Sequence, residues 1–339
     1  MDNHKKIAFL TGTRADFGKI KSLIQILQNN VQLEPHIFVT GMHMMEKYGL
    51  TLIEVQNCGF KNISTFENYT DESTMDLTLA KTIEGFSSYV KNLNPDLIIV
   101  HGDRVEAMAG AIVGSLNNIL VAHIEGGELS GTIDELIRHS VSKLSHVHFV
   151  SNKSAKKRLI QMGELPESIY KIGSPDIDIM FSDNLPDLKE VKSYYDIPFD
   201  NYAVVMFHPV TTEIDKMKAY ASNFVEALKK SQSNYVVIFP NNDLGSKFII
   251  DFYEELTNND SFKVFPSIRF EYFLTLLKSA DFIIGNSSAG IREAPYYGIP
   301  TINIGTRQEN RALHSHIINV GYGTDEILNA INSDLIKTS

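Results

Sequence analysis

Short apolar runs recur along this chain, separated by segments whose apolar residues follow a helical period. The runs of the first half are IAFLT (7–11), HIFVT (36–40), LIIV (97–100), ILVAHI (119–124) and VHFVS (147–151), with KIKSLIQILQN (19–29) and EAMAGAIVGSLN (106–117) among the helical intervals. Runs of this length suit strands buried on both faces, and regular strand–helix alternation leads to a parallel, doubly wound sheet. The grammar restarts near residue 200 with YAVVMFH (202–208), NYVVIFP (234–240), FKVFP (262–266), DFIIG (281–285) and PTINIG (300–305). Two α/β domains are therefore predicted, 1–175 and 176–339. The connection between them starts at DIDIMFSDNLPDLKEVKSYYDIPFD (176–200), whose prolines, acids and aromatics lack a clear period.

At 339 residues and 43% hydrophobic content, each domain is large enough to bury a core. A formal charge of -10 argues against general nucleic-acid binding, so a polyanionic ligand needs a local positive site. Cys58, the single cysteine, makes no internal disulfide and supports no thiolate metal cluster. MDNHKK runs directly into the first apolar run without a signal-peptide core, and no window approaches a membrane span, which predicts a soluble cytoplasmic protein.

In open α/β sheets ligands bind beyond the carboxyl ends of the strands. Those positions carry GTRAD, HGDR, HIEGGE, HPVTTE, PNND, GNSSAGIRE and GTRQ. Arg14, Arg104 and Arg307 each follow a strand end, and a guanidinium offers two parallel donors to a phosphate. GNSSAGIREAPYYGIP (285–300) places Ser287 and Ser288 before a helix expected near Ile291, an arrangement that serves either as a plain N-cap or as an anion site. Glu293 fits a ribose diol better than a phosphate. TGTRADFG is not a dinucleotide fingerprint and GGELSG lacks the ending of a phosphate loop, so no nicotinamide site is expected. His101, His123 and His208 close apolar runs without metal-ligand spacing, and no metal is expected either.

The acids are concentrated in HIEGGELSGTIDELIRH (123–139), just past a buried strand. Asp103, Glu125 and Asp134 are candidates for proton transfer, since neighbouring carboxylates can be driven to different protonation states. Glu135 reads as a first-turn acid favoured by the helix dipole, and Glu128 stays undecided. Arg138 and His139 are placed beside the cluster, and His208 offers a phosphate donor or an acid/base.

These motifs together resemble the UDP-N-acetylglucosamine 2-epimerases, and within them the hydrolysing branch of bacterial sialic-acid and legionaminic-acid synthesis. The resemblance rests on TGTRADFGK (11–19), GMHM (41–44), VHGDRVEAMA (100–109), HIEGGELSGTIDELIRH (123–139), FHPVTTE (207–213), FPNNDLGSK (239–247), GNSSAGIREA (285–294) and NIGTRQ (303–308). Arg14-Ala15-Asp16 and His101-Gly102-Asp103-Arg104 point to the hydrolysing branch. The resemblance implies a glycosyltransferase-B-like (GT-B-like) fold, with two Rossmann-like domains facing across a cleft, and a reaction without metal or nicotinamide. Carried over by motif, Arg14, Ala15, Gly18, Arg104, His208 and Asn241 would hold UDP, with Ile268, Ser287, Ser288, Glu293 and Arg307. Lys19, His43, His101, His123 and Arg138 would face the sugar, and Asp103, Glu125, Asp134 and His208 would carry protons. Phe17 stands where the family usually has tyrosine. Relatives usually continue past DEILNAIN (325–332) into a last helix that returns to the first domain, whereas this sequence ends at Ser339.

The activity implied is conversion of UDP-N-acetylglucosamine and water to N-acetylmannosamine and UDP. Alternatives are the same chemistry on UDP-N,N'-diacetylbacillosamine, a glycosyltransferase of similar fold, and a non-catalytic UDP-sugar binder. A homodimer or homotetramer through helices of the first domain is expected.

Overall fold

A computed structural model describes residues 4–69, 74–130, 133–309 and 315–337. The step 131–132 inside the acid-rich motif lies outside those residues. The chain divides into two compact units, 1–128 with 133–178, and 129–132 with 179–339.

Among the described residues the first unit holds seven parallel strands: β1 (Lys5–Thr11), β2 (Leu33–Val39), β3 (Ile63–Thr65), β4 (Leu97–His101), β5 (Leu120–Ile124), β6 (Val147–Val150) and β7 (Ile169–Lys171). Their order is β3-β2-β1-β4-β5-β6-β7. Successive residues of β1 point to opposite faces and both faces are buried. Ala8 and Leu10 join a core with Phe38, Phe86 and Val100, while Ile7 and Phe9 join another with Ile20, Ile37 and Ile99. Two buried faces explain why the strands read as continuous apolar runs. Truncating Phe9, fully buried, to alanine would cost about 3–5 kcal/mol.

The second unit repeats the plan with β8 (Ala203–Met206), β9 (Tyr235–Ile238), β10 (Phe262–Phe265), β11 (Ile283–Gly285), β12 (Thr301–Ile304) and β13 (Ile317–Val320), in the order β10-β9-β8-β11-β12-β13. Ala203, Val205 and Phe207 face one core and Tyr202 and Val204 the other. The helix Thr324–Ile331 and the short turn Asp334–Lys337 add Ile327, Ile331 and Ile336 to the first of these.

β3, β7 and β13 are not among the runs legible in the sequence. Each is an edge strand of three or four residues with one neighbour, so it carries too little buried apolar surface to stand out. In both units the strand order reverses beside the first strand, between β1 and β4 and between β8 and β11. There the helices leave on opposite faces and the strand ends open a crevice. Among the described residues no helix is long and apolar enough to cross a membrane.

Candidate active site

In the first unit the turn after β1 is fixed by Asp16. Its Oδ1 accepts from Thr13 N (2.8 Å), Thr13 Oγ1 (2.9 Å) and Thr11 Oγ1 (2.9 Å), and its Oδ2 from Gly12 N (3.0 Å). Thr13 answers by accepting from Asp16 N, completing a capping box that starts the helix Arg14–Gln28. Such a cap is worth about 1 kcal/mol, and here it also sets the direction in which Arg14 and Lys19 leave the helix. Arg14 pairs with Glu54, Ala15 is exposed in the first turn, and Gly18 is buried one turn later.

His43 lies beneath this turn. Its Nε2 meets Thr11 Oγ1 at 3.1 Å, its Nδ1 meets Thr51 Oγ1 at 2.6 Å, and Phe17 packs edge-on to the ring. Burial holds its pKa down at about 4, so it is neutral at physiological pH. His123 is equally enclosed, with Nε2 on Gly102 O (2.8 Å) and Nδ1 on Ser142 Oγ (3.0 Å), and burial lowers it to about 3. Both were expected to face a sugar. With both ring nitrogens on protein partners and almost no exposed surface, they instead support the loops that follow β1, β2 and β4.

The carboxylate cluster that the sequence singles out is built on Glu125, the residue after β5. Its φ of 67° is left-handed, a conformation costing a non-glycine residue roughly 1–2 kcal/mol. The turn buries its carboxylate beside a hydroxyl, an ammonium and an imidazole. Ser174 Oγ donates to Oε1 (3.0 Å), Lys19 Nζ lies 3.7 Å from Oε1, and His101 Nε2 lies 3.3 Å from Oε2. Lys19 also stands 3.1 Å from Asp176 Oδ2. The like charges thus share one ammonium, which answers the cost of burying them.

Asp103, after β4, pairs with Arg138, whose side chain is only 4% exposed. Arg138 belongs to the helix Ile133–Lys143, and Asp134 stands one turn earlier, on the same side by the i, i+4 rule. Glu135 meets His139 at 3.9 Å within that helix, and Glu128 accepts from Ser151 Oγ; both are local structural contacts.

Arg104, the fourth residue of HGDR, ends with Nε 3.3 Å from Oε2 of the buried Glu106. A Cβ on Gly12 would stand 2.8 Å from the Glu106 carboxyl carbon, and one on Gly41 would stand 2.7 Å from Oε1. Two glycines of separate motifs thus make room for one carboxylate that orients an arginine.

The second unit is organised by Asn286, fully buried after β11. Its Oδ1 accepts from His208 N (2.6 Å) and its Nδ2 donates to His208 O (2.9 Å). His208 Nδ1 accepts from Asn241 N (3.0 Å), so the neutral ring carries its proton on Nε2 and offers a donor there. The Asn286 carbonyl accepts from Gln308 Nε2 (3.0 Å) and Arg307 Nη1 (3.2 Å), tying the loop after β12 to the same point. Gly285 has φ 139°, and a Cβ there would lie 2.0 Å from Met206 O. Only glycine permits that approach of β11 to β8.

The helix after this loop begins at Ala289, earlier than Ile291, and is a four-residue turn followed by a second, Ala294–Tyr297. Ser288 holds the N-cap position in αR conformation and makes no capping bond, while Ser287 Oγ accepts from Ala289 N at 3.3 Å. The plain N-cap reading therefore fails for Ser288. Glu293 is buried at the junction of the two turns. Ile268 packs its side chain into the core, which leaves only its backbone for a nucleotide.

Asn286, Glu106, Ser174 and Asp176 were absent from the residues singled out by sequence. Asn286 lay inside GNSSAG with no role of its own assigned, and Asp176 fell in a stretch read as a connection. Among the described residues no group of three His, Cys, Asp or Glu side chains is arranged to hold a metal ion.

The family model described as UDP-N-acetylglucosamine 2-epimerase matches residues 25–338. A protein of Neisseria meningitidis serogroup B named UDP-N-acetylglucosamine 2-epimerase is 52% identical over 329 residues, 96% of this chain and 86% of the relative. The UDP-N,N'-diacetylbacillosamine 2-epimerase (hydrolyzing) of Legionella pneumophila is 32% identical over 340 residues, 98% of this chain and 89% of the relative. Among solved structures, the Methanocaldococcus jannaschii UDP-GlcNAc 2-epimerase in complex with UDP-GlcNAc and UDP aligns with a TM-score of 0.81, covering 96% of this chain and 92% of that chain at 22% identity. That likeness concerns the fold, which is of the GT-B-like kind with two parallel-sheet α/β domains.

Proposed function

Since this chain belongs to the UDP-N-acetylglucosamine 2-epimerase family, we propose that it converts UDP-N-acetylglucosamine and water to N-acetylmannosamine and UDP. The observation that carries the reading is Glu125, a buried carboxylate held against an imidazole and an ammonium at a strand end. Inversion at C2 of an N-acetylhexosamine needs a proton removed from a carbon with no adjacent carbonyl. The proton becomes removable when the C1–O bond breaks and UDP departs with the electron pair. A carboxylate takes the proton, a glycal forms, water adds its oxygen to C1, and an acid returns a proton to C2 on the opposite face. Atoms and electrons balance without a redox partner or metal.

In this reading Ser287, Ser288, Arg307 and the Nε2 donor of His208 stabilise the charge growing on the diphosphate, with Arg14 and Arg104 adding positive charge. Asn241 and the Ile268 backbone contact the nucleotide, and Glu293 accepts from the ribose hydroxyls. Asp103, Glu125 and Asp134 supply proton carriers for two faces of one carbon. Lys19 and His101 act at the sugar end through Glu125, and Arg138 through Asp103.

The hydrolytic course is supported by the likeness to the Legionella enzyme, whose name carries it, and by the Arg14-Ala15-Asp16 and His101–Arg104 motifs. In this reading the product, N-acetylmannosamine, enters sialic-acid synthesis in the cytoplasm. Leu77, Leu116 and Leu136, each more than half exposed on helices of the first unit, suit a homo-oligomeric contact. Incubation with UDP-N-acetylglucosamine and, separately, UDP-N,N'-diacetylbacillosamine tests the assignment. Release of UDP and N-acetylmannosamine from the first without an acceptor is expected. Rapid turnover of the second beside none of the first would overturn it.

A further inference from the structure

Ser174 and Asp176 come from a segment that composition reads as a connection, yet Asp176 is 2% exposed and both residues reach the Glu125 site. Lys19 Nζ stands 3.1 Å from Asp176 and 3.7 Å from Glu125, and Glu125 Oε2 stands 3.3 Å from His101 Nε2. Where water is scarce, the position of one ammonium decides which of two carboxylates holds its charge most firmly. The nearer one is Asp176. It takes the larger share of the Lys19 field, while Glu125 Oε2 faces the His101 imidazole.

We propose that Asp176 is a positioning residue for the proton transfer: by holding Lys19 it keeps Glu125 coupled to His101 instead of clamped to the ammonium. The proposal rests on the reading that Glu125 carries the C2 proton. The other charged groups around the pair are Asp103 with Arg138, beginning two residues after His101, and His123 on the adjacent strand, which is neutral. Lys19 is the group that links Asp176 to Glu125. Ser174 fixes the Glu125 oxygen that faces Lys19, so the segment 174–176 sets both the orientation and the field of one carboxylate.

The test follows the His101 imidazole nitrogen resonances against pH in the whole protein, assigned with His101→Gln. Asp176→Asn should lower the His101 midpoint by about one pH unit, because the ammonium then faces Glu125 alone. Lys19→Met should raise it, and the double variant should return it toward the wild type. Simple loosening of the fold would move His101 the same way in both single variants, so opposite signs report the coupling. If Asp176→Asn fails to fold, Lys19→Met should still raise the midpoint and the double variant should bring it back down toward the wild type. In turnover, Asp176→Asn should lower kcat by about tenfold or more with KM changed less than about threefold. Unchanged midpoints, or shifts of one sign in both variants, would overturn the proposal. The expected shifts in a protein that turns over no UDP-sugar would overturn the epimerase reading while the coupling stands.

Discussion

Asn286 satisfies both backbone groups of His208 with one side chain, accepting its N–H at 2.6 Å and donating to its carbonyl at 2.9 Å. The contact joins the end of β11 to the residue that follows Phe207 and aims the imidazole. Asn286→Ala leaves two buried backbone groups unsatisfied and should destabilise the protein by about 2–4 kcal/mol. Asn286→Asp sets a carboxylate oxygen against the carbonyl and should cost at least as much. Urea unfolding measures the loss, and calorimetry should show UDP binding weakened by about tenfold or more. Wild-type UDP affinity in the aspartate variant would contradict the assignment.

Gly285 and Gly298 both have positive φ, at 139° and 71°, yet their surroundings differ. A Cβ on Gly298 meets nothing within 4 Å, whereas one on Gly285 meets Met206 O at 2.0 Å. Gly298→Ala should therefore cost only the left-handed penalty of about 1–2 kcal/mol. Gly285→Ala must push β11 from β8 and should lower the melting temperature far more, or prevent soluble expression. Equal melting temperatures for the two variants would refute the close approach.

His43 and His123 titrate at about 4 and about 3 in the folded protein, below the ordinary histidine value. The unfolded chain therefore takes up protons first as the pH falls. Stability from these sites is complete above about pH 6.5 and is lost progressively below it, by about 1.4 kcal/mol per pH unit for each site. Denaturant unfolding between pH 7 and 4.5 should show this slope, and His123→Gln should reduce it by roughly one site's share. An unchanged slope would mean that His123 is not neutral by burial.

Glu125→Gln keeps the shape of the side chain and removes its proton capacity. Turnover should fall about 10²- to 10⁴-fold while UDP binding changes less than about threefold. Asp103→Asn should lose turnover too, but it also uncouples the buried Arg138 and so should be measurably less stable, which Glu125→Gln need not be. Full activity in either variant would remove that residue from proton transfer.

Much of this architecture was legible because both faces of each central strand are buried, so β1, β4, β5, β8 and β11 announce themselves as apolar runs. The edge strands β3, β7 and β13 did not, since three or four residues with a single neighbour leave little pattern. At the candidate site, strand-end reading singled out Arg14, Asp103, Glu125, His208 and Arg307 because charge beyond an apolar run is conspicuous. The resemblance turned His43 and His123 toward a sugar, whereas burial holds them, His43 between two hydroxyls and His123 between a hydroxyl and a carbonyl. Strand-end reading passed over Asp176 and Asn286 because their importance lies in partners distant in sequence, Lys19 and His208, and no local period records such a pairing.

The central claim is that departure of UDP makes the C2 hydrogen of the sugar removable and that a carboxylate removes it. Turnover of UDP-N-acetylglucosamine in deuterium oxide, followed by proton NMR of the released sugar, tests this directly. The account predicts N-acetylmannosamine carrying solvent deuterium at C2. A released sugar that retains its original hydrogen at C2, or keeps the gluco configuration, would contradict it.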